Sequence, residues 1–251
     1  MSLVVSVDAI ILGFLLALLL VKIKYIDPNV FIQNKFLRFT KKTFAYLIDG
    51  YFSFFQAVPV LIQSLLFYFS ISIIAKSQFK SDFFIITEGI FAVALIVIML
   101  NTGANLAIIM LNNIKFLDQG QIQAAHALGM TQQQVFKYII FPQSIKRTYP
   151  SIYHQFIINI KETALFSSIG LVGLVWQAQR HIATNGDTIT PYLTISIIYL
   201  LLVFVANTIN KLITKYGKKY AISYFAYKLL DVKKINTINK KSHFRNENDF
   251  F

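Results

Sequence analysis

The chain has 251 residues, 56% of them hydrophobic, with a mean hydropathy of +0.58 and a formal net charge of +13. A single soluble core of this size cannot hide so much apolar surface, so the composition excludes an ordinary water-soluble domain and points to lipid. The absence of cysteine excludes disulfides and thiolate metal sites, and His126, His154, His181 and His243 lack ligand spacing, so no metal site is expected.

A helix that crosses about 30 Å of hydrocarbon needs roughly 20 apolar residues. Five runs reach or approach that length, at 3–21, 57–75, 89–111, 152–175 and 191–209. The first lacks a basic n-region and a small-x-small cleavage site, and its lysines follow it, so it reads as a retained span and not a signal peptide. The third and fourth carry polar residues that would be costly against lipid and are expected to face other helices or a path.

Positive loops stay on the cytoplasmic side. Lys and Arg number none before the first span, six from Lys22 to Lys42, two (Lys76, Lys80) after the second, four from Lys115 to Arg147, one (Arg180) between the fourth and fifth, and ten from Lys211 on. The alternation predicts an all-α membrane protein of five transmembrane helices, N-terminus outside and C-terminus inside. It also explains the excess charge without nucleic acid.

Candidate path residues lie in these spans. Asn101 and Asn105, one turn apart, form a polar stripe on the third span, and Asn159 and Thr163 form a similar pair on the fourth. Interhelical hydrogen bonding and solute contact both account for them. Lys161 and Glu162 are neighbours that point about 100° apart on a helix, so each needs its own partner, a water-filled cavity or a break in the helix. Two roles stay open: structural sites where the fourth segment bends and both reach water, or places in a translocation path or its gate. No phosphate loop and no GxSxG or Ser/His/Asp pattern occurs, so no nucleotide site or catalytic residue is expected, and no internal repeat is evident.

Between the third and fourth spans the sequence 120–143 reads GQIQAAHALGMTQQQVFKYIIFPQ. Gln121, Ala124, Ala125, Ala127 and Leu128 predict a short small-faced helix that Gly129 ends as a C-terminal cap. Thr131 starts a second helix as N-cap with Gln134 as capping-box partner, and Val135, Tyr138, Ile139 and Pro142 define one face and the stop. Two short helices meeting at Gly129 make a knob with alanines on its surface, open to a partner's groove.

This segment resembles the EAA loop of the inner-membrane permease subunits of bacterial ABC importers, and its long form GQ-x-x-AA-x-ALGM…PQ is similar to the polar amino acid branch. Arg147, Pro150, Phe156, Ile157, Lys161 to Leu165 and Ser168 to Gly170 resemble the branch's R-x-x-x-P…F-I…K-D-T-S-L stretch. Tyr51, Phe55, Pro59, Leu61, Gln63 and Tyr68 follow its second-span pattern. The resemblance covers about residues 3–212. It implies a permease domain over 1–212 with a coupling loop at 118–143, in the bacterial cytoplasmic membrane. That domain would form the translocation path for an amino acid or related small zwitterion and dimerise with itself or a homologue. A separate ABC ATPase subunit would bind and hydrolyse ATP, leaving this chain with no cofactor and no enzymatic activity, and an extracytoplasmic solute-binding protein would deliver the solute. The resemblance places ATPase coupling at Gly120, Gln121, Gln123, Ala124, Ala125, Gly129 and Pro142, and the candidate path or gate residues are Gln56, Pro59, Gln63, Asn101, Asn105, Asn159, Lys161, Glu162 and Thr163.

The chain also departs from the pattern. The loop's glutamate is Gln123, the second-span arginine is Gln56, and the third-span A-Y-x-x-E-x-x-R appears as Ala104, Asn105, Ile108 and Leu111, so an acid and a base are lost together. Replacement of a structural ion pair by neutral packing is one reading. Others are the degenerate half of a heterodimer, a transport-inactive scaffold or sensor, or a same-fold permease for another solute such as methionine or an organic ion. The tail 213–251 is basic. Ile222, Phe225, Ala226, Leu229 and Leu230 recur at helical spacing among lysines, which suits a helix on an anionic inner leaflet and equally a brace for an ATPase subunit; disorder is expected from about Lys234.

Overall fold

The structure is a computed structural model that describes residues 2–25, 35–79 and 87–215, with side chains described over 3–25, 43–74 and 89–215. The amphipathic pattern expected in the tail lies outside the described residues. The described residues are helical, without strands: α1 (Ser2–Tyr25), α2 (Lys35–Ala57), α3 (Val60–Phe79), α4 (Thr87–Lys115), α5 (Gln119–Ala127), α6 (Gln132–Val135), α7 (Phe141–Glu162), α8 (Leu174–Asn185) and α9 (Ile189–Lys215). Two compact units divide the chain, 1–199 and 200–251. In the second, the described part is the end of α9, where the Thr208 hydroxyl donates to the Phe204 carbonyl.

By length and composition three helices can cross a membrane, within α1, α4 and α9. The number rises to five if two bent pairs each count as one span. The first pair is 43–57 with 60–74, bent by 113°. The expected span 57–75 corresponds to α3, which starts three residues later, at Val60. Pro59 lacks an N–H and disfavours helical backbone at Val58, so the ladder breaks there and the apolar stretch begins earlier, in α2.

The second bent pair corrects the expected span 152–175. Helix α7 ends at Glu162, a 3-10 segment follows over Thr163–Ile169, Gly170 turns the chain at φ +93°, and α8 departs with a 44° bend. Pro142 is also not a stop. A π-turn, Phe136–Ile140, joins α6 to α7, with the Phe141 amide donating to the Phe136 carbonyl, and Pro142 follows directly after it, where the widened turn accommodates a residue without an N–H. The widened turn changes the buried face. Val135 and Ile140, five apart, are both fully buried, whereas Tyr138 is exposed.

Helix α1 lies against α4 along small residues. Ala9, Gly13 and Ala17, four apart, are buried on α1, and on α4 Gly103 receives the side chain of Leu16. A Cβ on Gly13 would stand 2.7 Å from Thr102 Cγ2 and 3.0 Å from the Met99 carbonyl, so only hydrogen fits. In lipid, where apolar burial gives no advantage over the tails, such close backbone approach is what holds helices together.

Two apolar clusters fill the first unit. One contains Val5, Ala9, Val93, Val97, Ile98 and Phe166. The other joins Ala17 and Val21 of α1, Phe52 and Phe55 of α2, and Leu106 to Ile114 of α4 to Ala125, Val135 and Ile140 of the segment after α4. Along α4 the polar residues Asn101 and Thr102 lie between the clusters, and Asn105 follows at the edge of the second.

Candidate functional site

The segment after α4 folds as a capped two-helix knob. Asp118 accepts from the Gly120 amide at 2.8 Å and opens α5. At its other end Gly129 takes φ +79°, its amide donates to the His126 carbonyl at 2.9 Å and the Met130 amide to Ala125, closing the helix as its cap glycine should. Thr131 and Gln134 form the expected capping box, with hydrogen bonds of 3.3 and 2.8 Å. Gly120, Gln121, Gln123, Ala124, Leu128 and Gly129 are exposed. Ala125 is not: it is 3% exposed and belongs to the apolar cluster, on the face of α5 turned toward the bundle.

The knob is fastened to the bundle. Gln143 donates to Gln121 at 2.9 Å, tying α7 to α5, and Arg147 donates to the Phe116 carbonyl at 2.9 Å, closing the end of α4. Asn113 donates to Thr148 at 2.9 Å, and Tyr25 stacks obliquely on Phe136 with ring centres 5.0 Å apart. A displacement of the knob is therefore felt by α1, α4 and α7 together.

Two hydrogen-bond groups occupy the polar layer. At the α2–α3 break, Gln63 donates to the carbonyls of Val58 at 2.7 Å and Phe55 at 3.3 Å. Asn101 also donates to Phe55 at 3.3 Å and accepts from Asn105 at 2.8 Å. The break frees these carbonyls and the two amides satisfy them, which gives the residues a structural task around Pro59. In the second group Thr102 and Asn159 bond reciprocally at 3.0 and 3.1 Å, and Gln155 donates to Asn159 at 3.0 Å. Of the Asn159–Thr163 polar pair, Asn159 makes the interhelical hydrogen bond that is one of the two readings of its spacing, whereas Thr163 bonds within its own segment. The backbone changes from α to 3-10 at Thr163, and its hydroxyl donates to the Ile160 carbonyl at 2.6 Å. Thr102 and Gln155 were not foreseen, although the i, i+4 spacing of Gln155 and Asn159 was a readable signal.

Lys161 is exposed at the α7 end, and Glu162 is half-buried with one carboxylate oxygen, Oε2, out of solvent and without a hydrogen-bond partner. Gln56 lies apart from both groups. It lines a cavity of about 690 Å3 between α1, α2, α4 and α5, together with Lys24, Asp49, Asn112, Lys115 and Gln119. Lys24 and Asp49 form an ion pair there. Ile108 and Leu111 of α4 line the same cavity, so the three positions where the resemblance pattern carries charge and this chain does not, Gln56 included, border one cavity.

Comparison with known proteins accords with this architecture. A model of the family described as "binding-protein-dependent transport system inner membrane component" matches residues 30–216. The putative glutamine transport system permease protein GlnP of Rickettsia typhi is 30% identical over 210 residues, 84% of this chain and 86% of that protein. The glutamine transport system permease protein GlnP of Escherichia coli strain K12 is 29% identical over 154 residues, 61% of this chain and 67% of that one. A solved structure described as an amino acid ABC transporter with histidines superposes with a TM-score of 0.65 at 27% identity, covering 83% of this chain and 87% of the other. An inward-facing MetNI methionine ABC transporter, at 18% identity and a TM-score of 0.57, shares the fold. The chain belongs to the family of binding-protein-dependent transport system inner membrane components, and is an ABC transporter permease.

Proposed function

We propose that this chain forms the translocation path of an ATP-driven importer for an amino acid or related small polar solute, with glutamine the first candidate because relatives carry that name. Each bent pair is one span, giving five, with the N-terminus outside and the C-terminus inside as the charge alternation requires. The domain is 1–212, the tail 213–251 is cytoplasmic, and the protein resides in the bacterial cytoplasmic membrane. An ABC ATPase subunit binds and hydrolyses ATP, a second permease completes the path, and an extracytoplasmic binding protein delivers solute. No cofactor and no nucleic acid belong to this chain.

The observation that carries the reading is the knob. It presents Gln121, Gln123, Ala124 and Gly129 outward while Gln143, Arg147 and Ala125 bind it to the bundle, so a motor gripping Gly120 to Pro142 moves the spans. Coupling at Gln123 is by hydrogen bonding and packing, since no charge is present. The solute passes the polar layer formed by Gln63, Asn101, Asn105, Asn159 and Thr163, and the unpartnered oxygen of Glu162 holds a solute ammonium, with Lys161 at the gate. Gln56 and Pro59 flank the bend that shapes the path.

Co-expression with the cognate ATPase and binding protein gives ATP-dependent uptake, and Gly129→Trp abolishes uptake and ATPase docking while the bundle stays folded. Unchanged uptake and docking in that variant defeat the coupling role. One observation favours a second reading, the degenerate half of a heterodimer: Gln56, Ile108 and Leu111, which border one cavity, have lost their charge as a group. Co-purification of a second, different permease chain decides for it; a complex containing only this permease decides against it.

A further inference from the structure

We propose that the cavity between α1, α2, α4 and α5 binds an oxyanion, the carboxylate of a small organic solute or the phosphate of a lipid headgroup, on a lining that includes Lys115, Gln56 and Asn112. The cavity measures about 690 Å3, inside the range of small-ligand sites. Its charges are unequal. Two lysines, Lys24 and Lys115, line it against one carboxylate, Asp49, and that carboxylate is already paired with Lys24. Among the described residues the Lys115 ammonium meets no carboxylate, and the side-chain amides of Gln56 and Asn112 make no hydrogen bond.

A lysine without a carboxylate partner among the described residues and two side-chain amides on one cavity lining supply donors for a planar or tetrahedral oxyanion. Lys115 also closes the last turn of α4, where a cation complements the helix dipole. That role needs neither the amides nor the concavity. The placement has a consequence for motion, because Gln119 and Ile122 of α5 form part of the wall. An anion held by α2 and α4 in contact with α5 restrains the first helix of the knob. The site shares Gln56 with the proposed path, but its test reads binding to the chain and needs no uptake.

The test is reductive methylation of the full-length chain in nanodiscs, followed by mass spectrometry, with the exposed Lys146 as internal reference. Probes are L-glutamate, L-glutamine and inorganic phosphate in phosphatidylcholine, and phosphatidylglycerol nanodiscs without added solute, all at matched ionic strength. A ligand at ten times its dissociation constant slows Lys115 modification by about tenfold and leaves Lys146 unchanged. Protection by a free amino acid or phosphate in neutral lipid identifies a soluble ligand, and protection by phosphatidylglycerol alone identifies a headgroup; both uphold the site.

Gln56→Leu and Asn112→Leu remove the protection, and Asp49→Asn, which frees Lys24, strengthens it. Gln56 and Asn112 are exposed, so these variants keep the fold, which unchanged helix content confirms. The proposal is overturned if no probe slows Lys115, if Lys115 and Lys146 slow by the same factor, or if both leucine variants retain full protection.

Discussion

Replacing Gly13 by alanine tests whether the α1–α4 contact organises the bundle. The added Cβ would stand 2.7 Å from Thr102 Cγ2 and 2.8 Å from Thr102 Cβ, against about 3.5 Å for unstrained carbon contacts, so something must recede by about 0.8 Å. Thr102 is poorly placed to yield, because its hydroxyl is held by Asn159, and the Met99 carbonyl at 3.0 Å is backbone. Overpacking of this kind costs about 1–3 kcal/mol, disturbing a buried hydrogen bond adds about 1, and the better helix propensity of alanine returns about 1. The net expectation is a loss of about 1–3 kcal/mol by the same accounting.

Two other glycines serve as controls. At Gly103 the Cβ meets Leu16, with Cδ2 at 2.7 Å, Cγ at 3.1 Å and Cβ at 3.3 Å; the end of a leucine can rotate for about 0.5–1.5 kcal/mol while its Cβ must give slightly, so Gly103→Ala costs less than Gly13→Ala. At Gly50 nothing lies within 4 Å, and alanine should stabilise by about 0.5–1 kcal/mol. Equilibrium unfolding of the purified chain in mixed micelles, followed by helix content, ranks the three. If Gly13→Ala proves as stable as Gly50→Ala, close packing at Thr102 is not what holds α1 in place.

Three further outcomes are expected. Thr131→Ala removes the capping box, costs about 1 kcal/mol locally and raises amide exchange at Gln134, with uptake lowered less than in Gly129→Trp. Gln63→Leu and Asn101→Leu each strip a donor from the Phe55 carbonyl, so a double-mutant cycle on stability should show a coupling of about 0.5–3 kcal/mol; strict additivity would refute their shared role at the break. Asp187 is held below the usual carboxylate range by hydrogen bonds, first from the Thr190 side chain and then from the amides of Thr190 and Ile189. The depressed value means its stabilisation is present above the ordinary carboxylate range and lost as pH falls below about 4, where exchange at Ile189 and Thr190 should accelerate unless Asp187 is changed to alanine.

The sequence by itself determined that the chain is helical and suited to a membrane. It also located the knob and its caps at Gly129, Thr131 and Gln134. These are local properties: run length, charge alternation, and side chains that bond to backbone three residues away. Tertiary structure decided what depends on neighbours. That α2 and α3 form a bent pair, and that Gln63 and Asn101 converge on the Phe55 carbonyl, follows from carbonyls freed at Pro59 and reached only across α4. The π-turn before Pro142 put Val135 and Ile140 on one buried face that a 3.6-residue period does not predict. Thr102 became the partner of Asn159, and Ala125 turned inward, because packing chooses which face of a helix is covered while sequence spacing only says which residues share one.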